Sequence, residues 1–466
     1  MKKAPAAPAG AFLFLHAFCQ FEMRRWYIYG KKDIITHMKT DNITLLCKVV
    51  DNFGDIGVVW RLARAISDLD AQCSDETDSA DKTSAAFKAC RRLVVDDLSS
   101  FKNLVPSVDL TAPVQQIDGW TVLRSDAADE CRASFLETPP LVILECFACG
   151  RPDWLEHMLF DEGFSHTVQI INLEYLTAEP YADEFHKLMS LTRKKSVQKV
   201  NFMPGFTPQT GGLILDNAFM NSLSASQALK ADAALSADRA FKSKDADKAS
   251  AAFKTAGGAF TAVVFAYERD FTSVARALDR FARERSAAGK GSVLVRSAAG
   301  KSARPFADAA LKADEAIAEH SGSENAPFSF RLEQLPFMTQ FEWDAMLCNA
   351  DFLFIRGEDS LSRACLSGHP FVWHAYPQSE DYQLVKVQAL LDRMEPFFTP
   401  ENYQLIRDYW RWYNNDDMKG YDSEEALYQI LVRYEEMSVS FGNFSKMLIK
   451  NGNLALHLMT FIREIV

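Results

Sequence analysis

Two carboxylates four residues apart, Asp51 and Asp55, lie in the turn Asp51-Asn52-Phe53-Gly54-Asp55-Ile56-Gly57. An apolar, β-rich run at 43–50 precedes it, and a stretch at 58–66 with Trp60, Leu62, Ala63 and Ile66 at helical spacing follows. A strand, a glycine-permitted turn and a helix put such a pair at the edge of a cleft, where a carboxylate can serve as a base. The alternative is that one of the two simply caps the helix. Gly54 and Gly57 point to close approach of backbone and ligand. A second constellation, Arg356-Gly357-Glu358-Asp359-Ser360, stands between the apolar run 352–355 and a helical run at 361–366. An arginine beside the first amides of a helix suits a diphosphate, unless this is a surface loop with Ser360 as an ordinary cap. Phe265 and Tyr267 close the strand at 262–265, and Gln340 and Trp343 lie shortly before the second constellation. Such aromatics either fill a core or sandwich a flat base whose edge Gln340 reads. Three further polar loops, at 172–175, at 201–213 after a Lys-rich segment, and at 374–381, either line the same rim or are ordinary strand ends and turns.

These groups can meet only if the strands that precede them end together. Strand-like runs recur at 141–146, 167–173, 260–265, 292–295 and 352–355, several followed by helical spacing, which predicts parallel sheets covered on both faces and ligands at the carboxyl ends of the strands. A chain of 466 residues exceeds what one core usually organises, so two domains are expected. Residues 71–89, 222–257 and 286–326 are rich in Ala, Lys, Ser and Asp and read as insertions, helical or disordered surface excursions. The halves are then 42–221 and 258–400. Residues 401–466 are expected to form helices that return to the first half.

A formal net charge of −11 argues against a broad nucleic-acid surface. No apolar run reaches the roughly 18 residues a membrane span needs, so a soluble, cytoplasmic protein is expected. The nine cysteines are an odd number, set mostly in apolar runs, as buried thiols of a reducing compartment are; the lone Cys146-x-x-Cys149 pair is expected to be core rather than zinc site. Lys2, Lys3 and the apolar 11–18 imitate a signal peptide, but His16 interrupts them and no cleavage motif follows. Residues 1–41 are therefore expected to be an extension outside the fold, with Met38 just ahead of the first clear strand.

Taken together, VVDNFGDIGVVWRLAR, NLEYL, MPGFTPQTGG, FIRGEDSLSRA and PFVWHAYPQSEDYQ resemble, in order, the family of protein-arginine rhamnosyltransferases that modify elongation factor P. The resemblance implies a GT-B fold, two Rossmann-like domains facing across a cleft. It also implies transfer of L-rhamnose from dTDP-β-L-rhamnose to an arginine of elongation factor P, with inversion at the anomeric carbon, in support of translation through polyproline stretches. It assigns Asp55 as the base, Asp51 as the group that orients the arginine, and Glu358 as the support from the donor side. Arg356, Asp359, Ser360 and Tyr267 are implied near the diphosphate, and Phe265 and Gln340 at the thymine; Trp343 stands where the family has Phe. No metal or other cofactor is expected. The rival readings are a GT-B enzyme with another nucleotide-sugar or acceptor, against which the DNFGDIG turn counts, and a non-catalytic binding module, against which Asp51, Asp55 and Glu358 count.

Overall fold

The computed structural model describes residues 42–50, 54–74, 90–242, 259–321, 329–415 and 418–466. Asp51 and the extension 1–41 lie outside the described residues, as does most of 71–89.

Strands made of Val, Ile and Leu without a polar face must be covered on both sides, and two sheets meet that requirement. The first domain runs β1 (Asn42–Cys47), α1 (Gly54–Ser74), β2 (Cys90–Val95), α2 (Leu98–Leu104), β3 (Val114–Ile117), β4 (Trp120–Arg124), α3 (Ala128–Glu137), β5 (Val142–Cys146), α4 (Asp153–His157), β6 (Val168–Leu173), α5 (Tyr181–Phe185), β7 (Met189–Ser190) and β8 (Val197–Phe202). Its sheet has the order β3-β4-β2-β1-β5-β6-β8-β7, parallel except for the edge strands β3 and β7. The second domain runs α6 (Asn217–Lys242), β9 (Phe260–Val264), α7 (Thr272–Ala287), β10 (Val293–Ser297), α8 (Ala303–Ser321), β11 (Phe330–Gln334), α9 (Gln340–Asn349), β12 (Phe352–Arg356), α10 (Glu358–Ser367), β13 (Phe371–His374), α11 (Tyr382–Met394), α12 (Pro400–Asn414), α13 (Ser423–Val432) and α14 (Tyr434–Asn451). Its five strands are all parallel, in the order β11-β10-β9-β12-β13. This is the two-sheet α/β architecture of the GT-B type.

The final helix, α15 (Leu454–Ile465), crosses back to the first domain. Its apolar stripe, including Leu458 and Ile462, joins the core built by β1, β5 and α1; each of those two fully buried side chains contributes roughly 1.5–3 kcal/mol. The crossing is pinned by Asn453, whose side chain accepts from the amides of Leu215 and Ala455 and donates to the Leu215 carbonyl. It also explains two glycines of MPGFTPQTGG. A Cβ on Gly212, where φ is +80°, would sit 2.7 Å from the Gly452 carbonyl oxygen, and one on Gly211 would sit 2.5 Å from the Phe202 ring. That end of the loop seats the returning chain, and Gly212 and Leu213 also line the cavity between the domains.

Three expectations need correction. Of the helices at 401–466 only α15 returns to the first domain, whereas α12, α13 and α14 bury Tyr409, Leu427 and Phe444 in the second core. The span 286–326 is not an insertion throughout, because it contains β10, paired on both sides in the second sheet with Val293 and Val295 buried. Likewise the start of 222–257 belongs to α6. Leu223 is buried in the second core and the Ser226 hydroxyl donates to the Cys348 carbonyl at 2.6 Å. Short strands and small side chains resemble low-complexity sequence, but both pack closely where a neighbour is supplied from far along the chain.

Candidate active site

Asp55 occupies the first turn of α1, which begins at Gly54 rather than after Gly57. A carboxylate there is favoured by the helix dipole. It is 4% exposed; one oxygen accepts the Val50 amide at 2.7 Å and the other the Tyr175 hydroxyl at 3.3 Å. Tyr175, at the end of the NLEYL segment, stacks on Phe147 with centroids 4.6 Å apart and planes 17° apart. Phe147 and Ala148 both hold positive φ after β5, so the backbone is strained to present that ring. Burial, and then the charges of Asp55 and Glu358, raise the Tyr175 hydroxyl, which keeps it a proton-bearing donor.

Glu358 approaches from the other domain as the first residue of α10. Its Oε2 accepts the Leu176 amide at 3.1 Å, a bond that spans the cleft. The N-cap before it, Gly357 with φ +74°, brings no side chain to the first amides of the helix, so Ser360 is not the cap. Phe147, Glu174, Leu176, Glu358 and Leu454 line one cavity where the domains meet.

The donor-side groups collect at the carboxyl ends of the second sheet. The Arg356 guanidinium lies over the rings of Phe265 and Tyr267, 4.6 and 4.7 Å from their centroids. Its buried Nε has no hydrogen-bond partner among the described residues, as suits a cation waiting for an anion. Gly300 and Lys301, in the loop after β10, reach the same cluster. Lys301 Nζ is 6.0 Å from the Tyr267 centroid, and a Cβ on Gly300 would stand 3.9 Å from Arg356. The sequence had hidden both inside a supposed insertion.

Trp343 meets Phe265 edge to face at 5.1 Å and 66°, and its Nε1 donates to the Ser360 hydroxyl at 3.1 Å. These aromatics touch each other, so no slot for a flat base lies between them. The Gln340 amide is also engaged inside the protein: Nε2 donates to the Gly57 carbonyl and to Asp359, and Oε1 accepts from Arg64. The Gly57 carbonyl thus faces Gln340 of the other domain, and a Cβ at Gly57 would stand at an ordinary 3.7 Å from Gln340 Nε2. Asp359 in turn faces Arg61, which donates to both its oxygens at 2.8 and 2.9 Å. Burial alone would raise the Asp359 carboxyl, but the Arg61 charge and hydrogen bonds prevail and hold it at about 2. The side chains of Gln340 and Asp359 therefore serve the domain junction in this conformation.

His374 is a satisfied structural residue, its Nδ1 accepting the Tyr267 amide at 3.2 Å. Burial, together with the charges of Arg269 and Arg356, lowers it from 6.5 to about 3. Protonation then favours the unfolded chain, so this contribution is complete above about pH 6.5 and is lost as the pH falls toward about 3. His374→Gln keeps an acceptor for Tyr267. Denaturant titrations at about pH 7 and about pH 5 should show the variant losing less stability than the parent, by up to about 1.4 kcal/mol per pH unit. Equal losses would mean that His374 charges freely in the folded protein.

Cys146 and Cys149 are free thiols, and burial pushes the Cys149 thiol up to about 11, away from reactivity.

A family model described as elongation factor P (EF-P) rhamnosyltransferase EarP matches residues 43–463. Among curated proteins, a protein-arginine rhamnosyltransferase of Pseudomonas putida is 30% identical over 377 residues, 80% of this chain and 86% of the relative. One from Neisseria meningitidis is 29% identical over 389 residues, 83% of this chain and 86% of the relative. A solved structure described as the structural basis for EarP-mediated arginine glycosylation of translation elongation factor EF-P aligns at 19% identity and a TM-score of 0.47, covering 91% of this chain and 100% of its own.

Proposed function

The chain belongs to the elongation factor P rhamnosyltransferase family and is a glycosyltransferase, and we propose that it transfers L-rhamnose from dTDP-β-L-rhamnose to one arginine of elongation factor P with inversion at the anomeric carbon. The observation that carries this reading is the convergence of Asp55 and Glu358 from the N-terminal turns of two helices in opposite domains, each bound to a group on the first domain's rim. An arginine guanidinium is protonated at physiological pH and is a poor nucleophile. It needs a carboxylate to orient it and to take a proton as the C–N bond forms. Asp55 fills that role, with the Tyr175 hydroxyl fixing one of its oxygens, and Asp51 is the second orienting carboxylate.

On the other side, C1 of the sugar faces in-line attack while the bond to the diphosphate breaks. The negative charge that develops on the departing dTDP is met by Arg356, Lys301 and the uncapped first amides of α10. Phe265 and Tyr267, already under the Arg356 guanidinium, bound the nucleotide end, with Ser360 and Trp343 beside them. Because side chains and helix amides supply the positive charge, the reaction as proposed is metal-independent. No helix among the described residues is long and apolar enough to cross a membrane, and the reading gives the enzyme a cytoplasmic protein as acceptor.

The test is intact-mass analysis of purified elongation factor P after incubation with the protein and dTDP-β-L-rhamnose, with EDTA in one arm. One added deoxyhexose on a single arginine in both arms is the expected result. Addition only without EDTA would require a metal. No addition, with dTDP still bound, would turn the search to another acceptor.

A further inference from the structure

We propose that Arg61 is a positioning residue for the transfer reaction, a buried guanidinium that sets the helix carrying Asp55 in register with the helix carrying Glu358. Arg61 lies in the interior stripe of α1, fully buried beside Trp60 and Leu62. All five of its N–H groups have carboxylate partners. Nε and Nη2 reach the two oxygens of Asp359 at 2.8 and 2.9 Å, Nη1 and Nη2 reach the two oxygens of Asp344 at 2.7 and 2.9 Å, and Nη1 also reaches Asp216 at 3.0 Å. Asp359 and Asp344 belong to α10 and α9 of the second domain, whereas Asp216 lies on the connection between the domains. Arg363, one turn after Asp359, closes the cluster on Asp216 at 3.1 Å.

The lever is short at both ends. Asp55 and Arg61 are six residues apart on one helix, about 9 Å at the rise of an α-helix. Glu358 adjoins Asp359 in sequence. Any slip of the fork on Asp359 and Asp344 therefore changes the separation of Asp55 from Glu358. Gln340 and Arg64 repeat the tie one step away, through the Gly57 carbonyl and Asp359. A cluster of this kind is a weak source of stability, because desolvating its charges offsets most of their attraction, while its fixed bond directions are an effective source of geometry. A lysine could supply the charge but not the planar fork.

This inference rests on the reading of Asp55 and Glu358 as the groups that face the reacting atoms. The experiment measures kcat, KM and dTDP affinity for the full-length protein and for Arg61→Lys, with elongation factor P and dTDP-β-L-rhamnose as substrates. Expected is a fall in kcat of about 100-fold with both KM values and the calorimetric dTDP affinity little changed, the size that a misplacement of about 1 Å produces. A folded Arg61→Lys protein with a lower melting temperature and the parent's kcat would overturn the proposal, because the cluster would then only stabilise. If Arg61→Lys fails to fold, Asp344→Asn decides the matter, since it keeps an acceptor oxygen and removes one charge. A fall in its kcat at constant KM supports the role of the cluster, and the parent's kcat overturns it. Should the parent bind dTDP but leave elongation factor P unmodified, the acceptor assignment is what fails. The variants are then compared by dTDP release from the donor, with the same two outcomes.

Discussion

Asp55→Asn is expected to lower kcat by about 100- to 10,000-fold, the range that a positioned acid or base contributes, while leaving dTDP affinity unchanged. The substitution is nearly isosteric and keeps an oxygen that can accept the Val50 amide or the Tyr175 hydroxyl. It removes the one property the reaction needs there, the capacity to hold a negative charge beside the guanidinium and take its proton. The donor groups stand on a separate sheet with its own core, so calorimetry with dTDP should not distinguish the variant from the parent. Loss of dTDP binding together with activity would indicate a damaged fold, and retained transfer would remove Asp55 from the mechanism.

The second large effect is expected at Arg356. Replacement by Ala removes the cation set over Phe265 and Tyr267, and kcat/KM for dTDP-β-L-rhamnose should fall by about 100- to 1,000-fold, as when a donor to developing negative charge is lost. Arg356→Lys should recover only part of this, because an ammonium does not stack as a planar guanidinium does. Binding of dTDP and of thymidine separates the possible roles. A charge contact with the diphosphate predicts weaker dTDP binding and unchanged thymidine binding. An equal loss for both ligands would set Arg356 at the base instead.

The alternation of apolar runs and helical spacing was enough to foresee two parallel sheets, because strands covered on both faces carry that pattern locally. Asp55 and Glu358 were readable for a similar reason: each was placed near a helix start by its immediate neighbours in sequence, and both do stand in the first turns of α1 and α10. The same local logic misjudged β10, whose five residues are flanked by Ala, Gly and Lys and look like filler until β9 and β11 close on either side. Lys301 went unseen with it. Two glycines of the MPGFTPQTGG loop answer to equally distant neighbours, since Gly211 and Gly212 make room for Phe202 and Gly452.

The inventory of chemical groups and the family to which their order belongs were legible along the chain, since motifs in one stretch survive any rearrangement around them. Which of those groups are bound to the other domain followed instead from long-range packing. Gln340 and Asp359 carry the right chemistry for a nucleotide, yet they are held by Gly57 and Arg61, some 280 and 300 residues distant along the chain. Arg61 itself sits where the helical pattern asks for an apolar side chain. Its three aspartate partners come from the linker and from two helices of the other domain. A buried charge is tolerated only where partners converge on it in space, and convergence across such separations leaves no trace in local spacing.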